Sequence, residues 1–271
     1  MKHPQIIYGT AWKKERTTSL VKQAVGFGFR AIDTANQPKH YDEPRTGEAL
    51  RSLEAKGMKR SELFLQTKFT PIDGHDSRVP YDPALPIRAQ VHQSFQSSLE
   101  HLGTDYLDSY LLHGPYSFPG LGDEDWEAWG AFEELASSGK VHAIGISNVN
   151  VEQLTQLVQG AKLPPQVVQN RCYAIRGWDR AVREVCKSKS IAYQGFSLLT
   201  ANPDVLNHPR IGQIATRLGR TAEQVIYRFS MQAGMVPLTG TTNETHMKEA
   251  LSSLEFELSA EEIALIERIS I

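Results

Sequence analysis

Short apolar segments alternate with longer amphipathic segments along the whole of this chain. Eight short segments have the length and the residue types of β-strands. They begin near Gln5, Phe29, Leu63, Leu107, Val141, Gln166, Ile191 and Met235. Between them apolar residues recur at every third or fourth position, as on one face of a helix. Strands that alternate with helices in this way predict a parallel sheet with crossover helices.

Eight such units favour a closed (β/α)8 TIM barrel. They divide the 271 residues into about 34 each, the size of one strand-and-helix step. We therefore expect a single domain over residues 1–271. An open, doubly wound sheet is the alternative, but no GxGxxG turn follows the first strand. The pattern of residues 259–270 predicts an additional C-terminal helix, with Ser259 and Glu262 as its capping box.

The composition and charge of the chain argue against nucleic-acid and membrane partners. The 29 basic and 31 acidic residues give a net charge of -2, and they form no run of one sign. This balance does not favour nucleic-acid or membrane-surface binding. No apolar stretch is long enough for a membrane span, and the N-terminus has no secretory signal pattern. We expect a cytoplasmic protein in which Cys172 and Cys186 stay reduced. The spacing of the histidines predicts no metal site.

Polar residues stand at the carboxyl ends of several predicted strands. They are Asp33, Lys68, His113, Ser147 with Asn148, and Gln169. Taken singly, each has an ordinary structural explanation, because a strand-end aspartate commonly caps a helix and a strand-end histidine is commonly a core residue. In a barrel, however, these ends meet at the rim that carries the active site.

Lys68 and Asp33 belong to neighbouring predicted strands. A lysine buried at a barrel mouth is costly unless a carboxylate partners it. Together they predict a proton-transfer site that keeps a cation close to an acidic group.

The order of these segments resembles the aldo-keto reductase family. The similar segments are GTAW (9–12), GFRAIDTA with the aspartate at 33, LFLQTKF (63–69), LDSYLLHGP (107–115), GKVHAIGISN (139–148), VQN (168–170), FSLL (196–199) and VPLTGT (236–241). They run in order over nearly the whole chain. The resemblance implies a (β/α)8 barrel that reduces an aldehyde or ketone, with aldoses among the candidate substrates, to an alcohol with NAD(P)H.

The resemblance also implies a catalytic tetrad of Asp33, Lys68, His113 and a tyrosine. The tyrosine hydroxyl would protonate the carbonyl oxygen as hydride arrives from the nicotinamide. Lys68, kept charged by Asp33, would lower the pKa of the tyrosine. His113 would hydrogen-bond the substrate carbonyl and orient it.

The tyrosine position departs from the family pattern D-T-A-x-x-Y-x-N-E. Here the sequence is DTANQPKHYDE, in which Pro38 takes the usual tyrosine position. Counting back from Glu43 puts His40 there, with Tyr41 one residue away. We expect a short insertion and favour Tyr41 as the acid. If His40 were the acid, the pH optimum would be lower, because free imidazole has a pKa of about 6.5.

The resemblance also implies cofactor-binding residues, and it specifies those at the nicotinamide end more fully than those at the adenine end. Ser147, Asn148 and Gln169 match the positions that bind the nicotinamide carboxamide, and Phe196, followed by Ser197 and Leu198, matches the ring that stacks on it. The candidate phosphate-binding and adenine-binding residues are Thr239, Thr241, Thr242, Asn243 and Glu249.

The residues at the 2′-phosphate end of the cofactor depart from the family pattern. Leu238 and His246 stand where the family often has lysine and arginine, and no arginine occurs in this stretch. NADP(H) is favoured on family grounds, and NAD(H) stays open.

Trp12 and Tyr116 are the candidate walls of the substrate pocket. The short segment after the last predicted helix leads us to expect an open pocket that tolerates small polar aldehydes or sugars. The expected partner is a small carbonyl or alcohol, and the expected state is a monomer. Two other functions stay open: a non-catalytic subunit that binds nicotinamide and senses redox state, and a Schiff-base lyase with Lys68 as nucleophile.

Overall fold

The computed structural model describes residues 4–269. Eight parallel strands close into a barrel in chain order, and β8 pairs with β1. The strands are β1 (Ile7–Gly9), β2 (Ala31–Asp33), β3 (Phe64–Phe69), β4 (Leu107–Leu112), β5 (Val141–Ser147), β6 (Val167–Arg171), β7 (Ala192–Phe196) and β8 (Met235–Thr239). The predicted strands and the predicted barrel are confirmed.

Helices surround the barrel and cover its apolar outer surface. They are α1 (Thr17–Phe27), α2 (Glu43–Glu54), α3 (Ile87–Leu102), α4 (Asp123–Ser137), α5 (Val151–Gly160), α6 (Arg180–Ser188), α7 (Pro203–Leu206), α8 (Pro209–Leu218), α9 (Ala222–Gln232), α10 (Glu244–Ser252) and α11 (Ala260–Glu267). Within residues 4–269, no helix has the length and apolar character needed to cross a membrane.

Local sequence signals account for where several helices begin and end. Ser259 accepts a hydrogen bond from the Glu262 backbone N–H at 3.2 Å, and the Glu262 carboxylate accepts one from the Ser259 N–H at 2.8 Å. This reciprocal capping starts α11 where the sequence predicted an extra helix. Gly103 ends α3 in the left-handed conformation, with φ 66°, which costs glycine little because it has no Cβ.

The predicted C-terminal helix is confirmed, although α11 ends at Glu267 rather than at residue 270. Ser270 lies outside the described residues. Ile266 and Ile269 are buried. The Trp178 indole N–H donates to the Ile266 carbonyl at 3.1 Å and ties the helix to the segment after β6.

Glutamine side chains form a polar layer inside the barrel below its carboxyl-terminal rim. Gln194 Oε1 accepts from Gln66 Nε2 at 2.8 Å and from Gln169 Nε2 at 2.9 Å. Both donors also bond Asp33 Oδ1, at 2.7 Å from Gln66 and 3.0 Å from Gln169. Buried amide N–H groups whose donors all have acceptors lose little on desolvation. This layer therefore fixes the Asp33 carboxylate from below.

Candidate active site

A cavity of about 980 Å³ opens at the carboxyl-terminal rim of the barrel. Most of the residues proposed from the sequence lie in its wall. These are Trp12, Asp33, Tyr41, His113, Tyr116, Ser147, Asn148, Gln169, Phe196, Ser197, Leu198, Thr239 and Thr241. Lys68 lies beneath the cavity against Asp33. Thr242, Asn243 and Glu249 are not part of this wall.

Lys68 and Asp33 form a buried ion pair at the base of the cavity. Lys68 Nζ donates to both carboxylate oxygens of Asp33 at 2.7 Å and to the Thr34 carbonyl at 2.8 Å. All three N–H groups of the ammonium therefore have acceptors. Burial lowers the pKa of Lys68, and the charge and hydrogen bonds of Asp33 oppose that shift. The pair predicted from neighbouring strand ends is present in the structure.

The segment between β2 and α2 brings Tyr41 next to this pair. The Gln37 carbonyl accepts hydrogen bonds from the N–H groups of both His40 and Tyr41 at 3.0 Å, which folds residues 38–40 into a compact turn. The Tyr41 ring lies edge-on to His113, with centroids 5.9 Å apart. Lys68 Nζ is 5.3 Å from the Tyr41 ring centroid. The extra residues are absorbed in the turn, so Tyr41 still reaches the cavity.

The expected lowering of the Tyr41 pKa by Lys68 is not what the structure shows. Burial raises the pKa of Tyr41, and the negative charge of Asp33 raises it further. The Lys68 charge is directed at Asp33, so the pair is close to neutral when viewed from the phenol. Desolvation therefore dominates. Tyr41 keeps its proton at neutral pH, as a general acid must.

His40 is held away from the ion pair. Its ring packs on Trp12 with centroids 4.1 Å apart, and its Nδ1 lies 2.8 Å from Gln37 Oε1. Burial, followed by the charge of Lys39, lowers the pKa of His40. The backbone N–H of Trp12 also donates to the His40 carbonyl at 2.7 Å. His40 and Trp12 thus form one side of the cavity entrance.

His113 is placed to act as a neutral hydrogen-bond donor. Burial, with a further contribution from the Lys68 charge, lowers its pKa well below the ordinary value. Its Nδ1 lies 2.7 Å from the Thr70 hydroxyl oxygen. When that hydroxyl donates to Nδ1, the imidazole proton resides on Nε2. A neutral Nε2–H suits a donor to a carbonyl oxygen.

Ser147, Asn148 and Gln169 lie together in the cavity wall. The Ser147 hydroxyl donates to the Gln169 carbonyl at 2.6 Å, and Asn148 Nδ2 donates to the His113 carbonyl at 2.8 Å. Gln169 Nε2 is occupied by Asp33 and Gln194, as described above. Its oxygen has no hydrogen-bond donor among the described side chains, so it presents an acceptor to the cavity.

Comparison with known proteins agrees with this geometry. The profile of the aldo/keto reductase family matches residues 5–202 and 204–271. The chain belongs to this family. It is 31% identical over 254 residues to a glyoxal reductase of Bacillus subtilis (strain 168), covering 93% of this chain and 83% of that protein. This assigns the aldo/keto reductase described here to the oxidoreductases, in a family that reduces carbonyl groups and generally uses nicotinamide cofactors.

Two further relatives extend over nearly the whole chain. A 9,11-endoperoxide prostaglandin H2 reductase of Trypanosoma cruzi (strain CL Brener) is 30% identical over 273 residues, covering 98% of this chain and 88% of that protein. The crystal structure of MGS-M4, an aldo-keto reductase from a deep-sea metagenome library, superposes with a TM-score of 0.84 at 27% identity. That alignment covers 98% of this chain and 91% of the other.

The cavity of this aldo/keto reductase also contains a cation that is not among the residues proposed from the sequence. Lys13 lines the cavity and is 8% exposed. Its ammonium donates to the Ala11 carbonyl at 3.0 Å and to the Gly240 carbonyl. Burial and the nearby Arg16 lower its pKa to about 8. The segment GTAWKK contains two adjacent lysines, but the sequence alone does not show which of them turns toward the cavity.

Arg171 and His246 also lie in the cavity wall and were not assigned as ligands from the sequence. The Arg171 guanidinium lies 5.4 Å from the centroid of the Phe196 ring. His246 is exposed on the first turn of α10. The cavity wall thus carries aromatic and imidazole rings, at Trp12 and His40, as well as cationic side chains, at Lys13 and Arg171.

Proposed function

We propose that this protein reduces aldehydes or ketones to alcohols with NAD(P)H, and that Tyr41 donates the proton. The observation that carries the proposal is the buried Lys68–Asp33 pair below Tyr41, with His113 beside the same ring. The cavity above these groups is large enough for a small carbonyl compound together with a nicotinamide.

Each of these residues has a distinct role in the proposed reaction. His113 donates a hydrogen bond from Nε2 to the carbonyl oxygen and so orients the carbonyl carbon. Tyr41 gives its hydroxyl proton to the same oxygen as negative charge develops there. Lys68 provides a cation 5.3 Å from the ring of the phenolate that remains, and the Asp33 charge partly cancels its attraction. Asp33 keeps Lys68 oriented.

The cavity residues fit a nicotinamide dinucleotide, which supplies hydride when bound. The free oxygen of Gln169 and the side chain of Asn148 offer an acceptor and polar contacts to a carboxamide, and Phe196 offers an aromatic face. Lys13 carries a buried positive charge and forms no ion pair with any residue in the described range 4–269. A diphosphate would supply the missing negative charge. We favour NADP(H) over NAD(H).

Lys68 is poorly suited to the competing Schiff-base chemistry. A nucleophilic lysine needs a free lone pair, whereas the Lys68 ammonium donates to three oxygens and is fully buried. Borohydride trapping with a carbonyl substrate is therefore expected to yield no adduct. A reducible adduct at Lys68 would favour the lyase over the reductase.

The proposal is tested by following NADPH and NADH absorbance with a panel of carbonyl compounds. Turnover is expected with at least one small aldehyde. Binding of nicotinamide without turnover across the panel would instead support a non-catalytic, redox-sensing subunit. The proposal extends to a cytoplasmic monomer that acts on a small carbonyl or alcohol, without a nucleic-acid or membrane partner.

Replacement of His40 by alanine tests the choice of acid. Because His40 packs on Trp12 rather than on Lys68, we expect kcat to fall by less than about tenfold, whereas removal of a general acid costs about 100-fold or more. Steady-state kinetics of His40→Ala at saturating cofactor measures this. Loss of turnover in His40→Ala, with Tyr41→Phe remaining active, would transfer the acid role to His40.

The pKa of Lys13 predicts a pH dependence of cofactor affinity. Its pKa of about 8 means that the ammonium is charged below pH 8 and loses its charge above it. We therefore expect the dissociation constant of the anionic cofactor to rise as the pH increases above about 8. Titrations of wild type and Lys13→Arg across this range provide the measurement, since arginine stays charged. The same rise in both proteins would show that Lys13 is not the titrating group.

A further inference from the structure

Two glutamines beneath the cavity meet across the interior of the barrel. Gln66 lies on β3 and Gln194 on β7, strands that are not neighbours in the sheet. Both side chains are buried, and neither belongs to the cavity wall. Gln66 Nε2 donates to Gln194 Oε1 at 2.8 Å, and Gln194 Nε2 donates back to Gln66 Oε1 at 3.0 Å. The two amides therefore form a reciprocal hydrogen-bonded pair.

The Asp33 carboxylate fixes the direction in which the amides beside it face. An ionised carboxylate only accepts hydrogen bonds, so the atoms of Gln66 and Gln169 that contact Asp33 Oδ1 must be amide nitrogens. Gln194 Oε1 accepts a second hydrogen bond from each of these nitrogens, at 2.8 Å and 2.9 Å. Both N–H groups of the Gln169 amide thus have acceptors, one on Asp33 and the other on Gln194.

This arrangement determines which atom of Gln169 is presented to the cavity. The amide nitrogen is turned to Asp33 and Gln194, so the oxygen is left for the cavity. A reversed amide would place that oxygen against Asp33 Oδ1 and Gln194 Oε1, which are both acceptors. Repulsion between acceptors disfavours the reversed orientation. Gln194 therefore contributes one of the two contacts that orient Gln169, although it does not reach the cavity itself.

We propose that Gln194 is a positioning residue for the cofactor, because it holds Gln169 with its oxygen toward the bound carboxamide. This role rests on the proposed use of a nicotinamide dinucleotide. Without Gln194, one buried N–H of Gln169 has no acceptor, which costs free energy unless the side chain turns toward the cavity. A turned Gln169 no longer offers only an acceptor. The site should then distinguish less well between a carboxamide, which has an NH2 donor, and a group that lacks it.

The test compares binding of NADP⁺ and of its 3-acetylpyridine analogue, in which a methyl group replaces the carboxamide NH2, by isothermal titration calorimetry with the full-length protein. Wild type is expected to bind NADP⁺ about tenfold more tightly than the analogue, the factor for one hydrogen bond. In Gln194→Met this ratio of dissociation constants should fall below about threefold. Gln194→Glu should restore it, because a carboxyl group that stays protonated beside the Asp33 charge keeps the acceptor oxygen and one donor.

Gln66→Met is the matched control. It removes the other amide of the same buried pair but leaves both acceptors of Gln169 in place. Both methionine variants should lower the midpoint of thermal unfolding, whereas Gln66→Met should keep the wild-type ratio.

The outcomes separate the role of Gln194 from the proposed function. A ratio near one for wild type, an unchanged ratio in Gln194→Met, or an equal fall in both methionine variants would overturn the role of Gln194. Reduction of carbonyl compounds would remain intact in each case. If wild type binds neither NADP⁺ nor the analogue, the use of a nicotinamide dinucleotide fails, and the role of Gln194 fails with it.

Discussion

Replacement of Tyr41 by phenylalanine is expected to lower kcat for carbonyl reduction by about 10²- to 10⁴-fold, the range for loss of a general acid. The phenyl ring keeps the edge contact with His113 and the position above Lys68, so only the hydroxyl is lost. Binding of the cofactor and the free energy of unfolding should change little. The measurement is steady-state kinetics at saturating NADPH, with carbonyl substrate in excess.

The matched control for Tyr41→Phe is Tyr116→Phe. Tyr116 lines the same cavity, but its hydroxyl is buried without a hydrogen-bond partner among the described residues, and it lies on the segment after β4. Tyr116→Phe should keep a kcat near that of wild type, whereas its KM can change because Tyr116 is a candidate wall of the substrate pocket. If Tyr41→Phe also kept a kcat close to that of wild type, Tyr41 would not be the proton donor.

Replacement of Lys68 by methionine is expected to lower the free energy of unfolding by about 3–5 kcal/mol as well as to abolish most of the activity. Methionine fills the volume of the lysine stem but leaves the Asp33 carboxylate buried without its cation. Gln66 and Gln169 still donate to that carboxylate, but neutral donors do not replace the lost charge. Urea denaturation followed by circular dichroism measures the change.

A double variant distinguishes the unpaired charge from a simple packing defect. Adding Asp33→Asn to Lys68→Met removes the negative charge while keeping an oxygen that can accept from the glutamine amides. We expect the double variant to recover about half or more of the lost stability, since uncompensated burial of charge is the main cost. Its activity should stay low. No recovery of stability would mean that packing around Lys68, rather than charge, determines the loss.

The sequence was sufficient for the barrel and for the residues at the ends of its strands. Strand alternation identified eight units, and the parallel arrangement required that Asp33, Lys68 and His113 share one rim. Such predictions succeed because the period of apolar residues and the direction of a parallel strand are local properties. The additional helix followed equally from the local capping pattern of Ser259 and Glu262.

Residues in loops were harder to place from the sequence. The loop with Tyr41 and His40 gave two candidate alignments, and only the folded turn shows that the Tyr41 ring lies near Lys68 while the His40 ring packs on Trp12. Thr242, Asn243 and Glu249 lie outside the cavity wall, so their contact with the cofactor stays a prediction. Asn243 also caps α10, where its side chain accepts from the Thr245 N–H at 2.8 Å.

The chain by itself therefore determined the architecture and the polar residues that the strands carry to the rim. The tertiary structure alone decided which loop residues join them, because Lys13 meets Gly240 only when β1 and β8 close the barrel. The tertiary structure also determined the directions in which the pKa values of the cavity residues shift. Burial, which no local pattern specifies, raises the pKa of Tyr41 and lowers those of His113 and Lys13.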